Sequence, residues 1–337
     1  MRIEASAMRG RKLTKADSKG TAPRMSIVTR VLAASLTLAT ATCFPPKCVP
    51  QAAAHALQYQ RIDNWAQIPN GGAWGVMSAV DIDSNGDIYV FQRDDAASQT
   101  SSQIMVFDAN GKFLRSWGKG EFPSAHGLRI SPKHTVWVTD RKLQQAFEYD
   151  RQGKFLLTLG QKNVAGNNDS KDSFNGISDI AFGKNGDIFF SDGEGQNTRI
   201  MKFSNSGNFI KMWGTKGADP GQFNLPHSLA IDSQGRVWVC DRLNKRLQVF
   251  DQDGDYIEQF TNFGTPSAIF IAKDNKLYVA DAAPENRLLI ADLNGKILDT
   301  FDGLNGGHGL AVDANGAIYV AESSGKTVSK YIKKVPK

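Results

Sequence analysis

Cysteine is nearly absent from this chain of 337 residues, which has three, and two of them, Cys43 and Cys48, fall in a front segment that reads as a leader. Cys240 is then alone in the remainder, which excludes an internal disulfide and leaves it the role of a small buried apolar group. No apolar run is long enough to cross a bilayer. The longest, Ile27 to Ala41, falls short of the ~20 residues a span needs and is interrupted by Arg30. A surplus of charge is missing outside the front end: residues 1–56 carry nine basic groups and two acidic ones, leaving 31 basic against 32 acidic from residue 57 onward. The formal charge of +6 therefore belongs to the front. The rest has no basic balance of the kind that neutralises phosphates, and no nucleic-acid partner is expected. Neither a disordered nor a collagen-like composition is present.

From Met25 the front segment reads as a short basic region, an apolar region too short to span, and an A-x-A-like cleavage site at Ala54-His55-Ala56. An exported protein, periplasmic or extracellular, is the expectation, with membrane contact only through an uncleaved leader. Residues 1–24 are either an over-extended start or a long basic region, and both readings stay open.

From residue 57 the chain repeats. Tyr89, Trp137, Phe189, Trp238, Tyr278 and Tyr319 occupy one position of a unit 40 to 52 residues long. Each unit holds an alternating apolar strand, a turn such as Asn85-Gly86 or Gln234-Gly235, a β-rich second strand, a third strand ending in an aromatic, a turn such as Asp253-Gly254, and a fourth strand. Asn-Gly and Asp-Gly need φ > 0, which these residues supply at little cost, so the turns are expected to be hairpins. Four strands joined by hairpins make one propeller blade, so residues 57–335 are expected to fold as one all-β, six-bladed β-propeller, a monomer. The last unit stops after three strands, and Leu57 to Ile62 is expected to supply the fourth and close the ring.

Histidine is as scarce as cysteine is rare: there are five. Eleven residues before each second-strand aromatic stand Ser78, His126, Ser178, His227, Ser267 and His308. Imidazole thus alternates with a small hydroxyl around a six-unit ring, and alternate units of such a ring are related by a three-fold rotation. His126, His227 and His308 are therefore candidate ligands of one metal ion, converging on the axis. Three neutral imidazoles suit Zn²⁺, with a fourth position left open. His134 replaces a turn glycine and reads as a solvated loop residue, and His55 falls in the cleavage site.

Four residues beyond the aromatics stand Arg93, Arg141 and Arg242, on the face of the ring that the histidines share. Guanidiniums there would hold a carboxylate in bidentate fashion. The preceding position is acidic in five repeats, at Asp140, Asp192, Asp241, Asp281 and Glu322. That recurrence argues for strand-end hydrogen bonding rather than chemistry. Arg93 departs from it, because its repeat reads Val90-Phe91-Gln92-Arg93. Arg199 and Arg246, at the starts of third strands, read as residues that tie blades together. The stretch Gln161 to Asn175 is either a recognition loop or a solvated insertion.

The repeat elements Leu229-Ala230-Ile231-Asp232, Val237-Trp238-Val239-Cys240-Asp241-Arg242 and Arg246-Leu247-Gln248-Val249-Phe250 resemble those of the NHL-repeat β-propellers, over nearly all of residues 57–335. Within that group the histidine motifs, Ser124-Ala125-His126-Gly127-Leu128, Leu225-Pro226-His227-Ser228-Leu229 and Gly307-His308-Gly309-Leu310, are similar to those of the peptidyl-α-hydroxyglycine α-amidating lyases. That resemblance implies zinc on the three histidines, catalytic arginines at Arg93 and Arg242, and a carboxylated small molecule or peptide as substrate. Two departures bear on it. Where the family has a tyrosine after Asp-Gly, this chain reads Asp192-Gly193-Glu194-Gly195, so either Glu194 is the base or the function is lost or changed. Where the family has an acid that ligates calcium, this chain has Gly309, which speaks against calcium there. Two other classes remain: a non-catalytic propeller that binds a cell-envelope partner through the same face, and a metal-dependent propeller hydrolase such as a lactonase. The latter class generally uses oxygen ligands, which three imidazoles do not match.

Overall fold

The alternation of apolar residues does produce four-stranded units, and the computed structural model describes them over residues 59–93 and 102–334. The expected leader, residues 1–56, lies outside these described residues. Six sheets of four antiparallel strands surround a central channel. Their inner strands are Met77–Ile82, Ala125–Ile130, Ile177–Phe182, Pro226–Ile231, Pro266–Ile271 and Gly307–Val312, each in contact with the next around a closed cycle. The chain is thus a six-bladed β-propeller. No helix among the described residues is long and apolar enough to cross a membrane.

The hairpins differ in one detail from the sequence expectation. In the turn from Asp83 to Asp87, Gly86 alone takes a positive φ, of 83°, and Asn85 does not. The Asp83 carboxylate accepts the N–H groups of Asn85 at 2.8 Å and Asp87 at 3.1 Å, so the side chain builds the first half of the turn and glycine the second. His134 takes the glycine's place in its blade, with φ 62°, and is exposed.

The last sheet consists of Gly307–Val312, Ile318–Glu322, Thr327–Lys333 and, as its outer strand, Tyr59–Ile62, with Tyr59 opposite Lys333 and Ile62 opposite Lys330. Trp65 just beyond donates its indole N–H to the Val328 carbonyl at 2.7 Å. Among the described residues no four-stranded sheet continues into the next, so the packing of one blade on another depends mainly on side chains. Six apolar clusters lie between successive blades. The second-strand aromatics are buried in them, at ~1.5–3 kcal/mol or more each.

Candidate metal centre

The position that alternates between histidine and serine is also the position where each inner strand breaks register with its neighbour. The irregularities fall between Met77 and Ala79, Ala125 and Leu128, Ile177 and Ile180, Pro226 and Leu229, Pro266 and Ala268, and Gly307 and Gly309. A bulge leaves a residue unpaired and re-aims its side chain. The three imidazoles meet in the channel, with ring centroids 4.7, 4.9 and 5.0 Å apart.

Each histidine is fixed by the serine of the following blade. The Nδ1–H of His126 donates to the Ser178 carbonyl at 3.0 Å, that of His227 to Ser267 at 2.5 Å and that of His308 to Ser78 at 2.7 Å. With Nδ1 carrying the proton, Nε2 carries a lone pair, and all three lone pairs face the axis. The serine repeats are therefore required for their backbone, while their hydroxyls are spent on neighbouring carbonyls, as Ser267 does with Ala280 at 2.8 Å and Gly307 at 2.6 Å. Gly127 and Gly309 allow this close approach: a Cβ would come within 2.5 Å of the Ser178 oxygen at one and 2.6 Å of the Ala79 Cα at the other. A side chain at 309 would need the backbone to shift.

A purely structural role for these histidines would be complete with Nδ1. Yet Nε2 of His126 and of His227 are buried with no hydrogen-bond partner, at a cost of ~1–3 kcal/mol each. Burial, joined by the neighbouring imidazoles and arginines, holds His126 and His308 well below the usual imidazole range, and burial brings His227 down to about 4. These are neutral donors, converging without a proton between them. Zinc bound at ~2.0–2.1 Å in a tetrahedral array would hold its nitrogens roughly 3.4 Å apart. The three imidazoles offer nitrogens within 4.8 Å of one another, so a small inward ring movement brings them to that spacing. The donor set fits zinc.

Arg93, Arg242 and Glu194 are brought to the same place. Arg93 donates Nη2–H to Nε2 of His308 at 3.1 Å and Nε–H to the Ala125 carbonyl at 3.2 Å. Glu194 lies over the other two rings, with Oε1 3.4 Å from Nε2 of His227 and Oε2 3.9 Å from Nε2 of His126. Arg141 holds its Oε2 at 2.7 Å and Arg242 lies 3.7 Å from Oε1. Burial pushes the Glu194 carboxyl up, but the neighbouring His227 ring and the Arg141 and Arg242 guanidiniums prevail and hold it below the ordinary range. The turn that carries it is wedged in place. Glu194 donates its N–H to the Gly176 carbonyl at 2.8 Å, while a Cβ on Gly193 would strike Pro226 at 2.4 Å and one on Gly195 the Asn175 oxygen at 2.4 Å.

The sequence places Arg141 on this face as one of three guanidiniums for a carboxylate; the carboxylate it holds here is that of Glu194. The floor of the site went unseen. Arg129 and Asp179, on neighbouring inner strands, form an ion pair at 2.7 Å, and Asp179 also accepts the Ser228 hydroxyl at 2.5 Å. A cavity of about 10 Å³, about one water, lies against the histidines, and a funnel of about 950 Å³ opens on the other side; Arg129 lines both. The ion pair therefore separates the two. Arg and Asp each occur there once in six repeats, so no periodicity revealed them.

The recurrent acids serve strand ends, as expected. Asp140, Asp192, Asp241, Asp281 and Glu322 accept the backbone N–H of Ser124, Asn175, Asn224, Thr265 and Asn305. Gln92 does the same for Gly75 at 2.7 Å, so the departure beside Arg93 keeps the hydrogen bond and omits the charge. Arg246 pairs with Asp241 at 2.7 Å and binds the carbonyls of Ala218, Asp219 and Gln222 in the segment entering its blade. Arg199 pairs with Asp192 at 3.0 Å and gathers the carbonyls of Asn168, Ser170 and Ser173. That fastens the insertion 161–175 to its blade. Cys240 is wholly buried, and burial pushes its thiol up, away from reactivity.

The NHL repeat family model matches residues 223–250. NHL repeat-containing protein 3 of Mus musculus is 34% identical over 283 residues, spanning 77% of this chain and 80% of that protein. A probable peptidyl-alpha-hydroxyglycine alpha-amidating lyase of Caenorhabditis elegans is 28% identical over 285 residues, spanning 74% of this chain and 80% of its own. Among solved structures, a virginiamycin B lyase from Staphylococcus aureus superposes with a TM-score of 0.57 at 16% identity, covering 82% of this chain and 99% of that one, a likeness of fold.

Proposed function

This chain belongs to the NHL-repeat β-propeller family, and on that premise we propose that it is an exported zinc-dependent lyase of the amidating-lyase type. The reaction breaks the C–N bond of an N-acyl α-hydroxyglycine and releases an amide and glyoxylate. The observation that carries this reading is the convergence of three imidazole lone pairs, two of them orphaned, beneath three arginines. Similarity to amidating lyases supports the reaction, and the leader pattern of residues 1–56 supports export.

His126, His227 and His308 would hold the zinc, which supplies Lewis acidity that lowers the pKa of the substrate hydroxyl. Arg93 and Arg242 orient the substrate carboxylate and offset negative charge as the bond breaks. Arg93 donates to the lone pair of His308 that the ion would use, so an ion held there would free its guanidinium for the substrate. Glu194 accepts the hydroxyl proton as the C–N bond breaks and passes it to the departing amide nitrogen. Arg141 fixes the Glu194 carboxylate. The Arg129–Asp179 pair shuts the channel below and keeps bulk water from entering from that side.

The test is metal content together with turnover. The purified chain should hold about one zinc and release glyoxylate from α-hydroxyhippurate. Zinc with no glyoxylate rejects the substrate but keeps the centre, and a chain that takes up no metal leaves a propeller that binds a cell-envelope partner.

A further inference from the structure

Glu194 and His227 face each other in a way that ordinary hydrogen bonding does not satisfy. The Nδ1–H of His227 is committed to the Ser267 carbonyl, so Nε2 is an acceptor, and the carboxylate oxygen 3.4 Å away is also an acceptor. The pair at 3.9 Å between Glu194 and His126 repeats the arrangement, since the Nδ1–H of His126 is committed to Ser178. Two imidazole nitrogens and a carboxylate, all buried or nearly so and all presenting lone pairs to one point, are the surroundings of a cation.

We propose, building on the zinc reading above, that Glu194 is itself the fourth protein ligand of the resting centre, held there by Arg141 and Arg242. The closed set, three imidazoles and one carboxylate, differs from the open three-histidine site that the sequence resemblance implies. The wedged turn Gly193-Glu194-Gly195 gives the carboxylate a fixed seat rather than a flexible reach. The same two features that hold Glu194, a guanidinium and the fourth coordination position, are those a substrate carboxylate needs. Substrate entry is therefore an exchange of one carboxylate for another: the incoming carboxylate takes Arg242 and, together with the hydroxyl beside it, the ion, and Glu194 withdraws onto Arg141. The centre is self-capped until a carboxylated ligand arrives, which makes a carboxylate a condition of access as well as of orientation.

Cobalt(II) replaces zinc as a spectroscopic reporter, and acetate serves as the competing carboxylate. The purified full chain and its Glu194→Gln and Glu194→Ala variants are loaded with cobalt, and their visible d–d spectra are recorded with and without acetate. Ligation by Glu194 changes the spectrum in both variants before any acetate is added, with about one cobalt per chain retained. It also makes acetate bind the metal at least ~10-fold more tightly in Glu194→Ala than in wild type, read from the acetate-dependent band. Spectra that are the same in wild type and both variants overturn the proposal, and so does tighter acetate binding without a spectral change, which would place the exchange on the arginines alone. Failure of the underlying centre reads differently: wild type and His227→Ala would then take up cobalt equally or not at all.

Discussion

Replacing His126 by alanine separates the structural duty of this residue from the metal ligation proposed for it. Without metal, the variant loses the hydrogen bond to the Ser178 carbonyl, ~1 kcal/mol, but also loses a buried Nε2 that has no partner. The net change in the metal-free protein is therefore no more than about 2 kcal/mol. The metal-bound state behaves differently. Four-ligand zinc sites bind with ~10–16 kcal/mol, about 3 kcal/mol per ligand, so removing one nitrogen raises Kd roughly 100-fold or more. At zinc set to ~100 times the wild-type Kd, wild type gains ~2.7 kcal/mol of stability. The variant, then near its own Kd, gains ~0.4 kcal/mol. Denaturant unfolding in chelator and in zinc measures both increments, and the difference of ~2.3 kcal/mol corresponds to roughly 5–9 °C in Tm. Equal zinc-dependent stabilisation of the two proteins, or none in wild type, refutes the reasoning.

Other substitutions test the surroundings. Arg129→Met leaves the buried carboxylates of Asp179 and Asp81 without their cation and should cost ~3–5 kcal/mol in urea unfolding, with more than half recovered in Arg129→Met/Asp179→Asn. Arg199→Met removes the fully buried guanidinium that gathers three carbonyls of the insertion; a loss of ~3–5 kcal/mol should accompany new protease cleavage within residues 161–175. Gly309→Ala puts a Cβ 2.6 Å from the Ala79 Cα, so thermal melts should show ~1–3 kcal/mol of destabilisation and zinc titration a weaker site, because His308 is pushed off the Ser78 carbonyl.

Much of the ring was legible because a propeller repeats its instructions. The second-strand aromatics, the Gly of most turns and the strand-end acids recur, and a recurrent residue can be read against its copies. The histidines were legible for the same reason in reverse, as deviations of one residue type in alternate copies. What escaped detection was local and unrepeated. That the histidine position is a bulge, and that the neighbouring serine works through its carbonyl, depends on register, which apolar alternation does not encode. Arg129 and Asp179 occur in one blade each. Gln92 set the Arg93 repeat apart from the others, but only the fold shows it to be a neutral substitute for the acid. Glu194 was visible as a departure from a family pattern, but only the fold brings its carboxylate over two imidazoles.

The charges on this face decide what kind of ligand it can accept. Three guanidiniums and one carboxylate leave two positive charges unbalanced where the imidazoles are neutral, and a divalent ion would raise that surplus to four. Arg93 already feels the crowding: burial and the charges of Arg141 and Arg242 all act to lower its pKa. At an effective dielectric of ~20, unit charges ~5 Å apart interact by about 3 kcal/mol, so each added cation is resisted strongly and each added anion is welcomed to a like degree. A metal ion and a carboxylate therefore reinforce each other's binding here, by linkage that holds in both directions. In the proposed centre, Glu194 would supply the one negative charge that lets an ion be held before substrate comes. A neutral substrate would leave the surplus uncompensated, whereas an anionic one cancels it at the place where charge develops during bond cleavage. On the reading proposed above, the arginines would select a carboxylated substrate by electrostatics before any shape is considered.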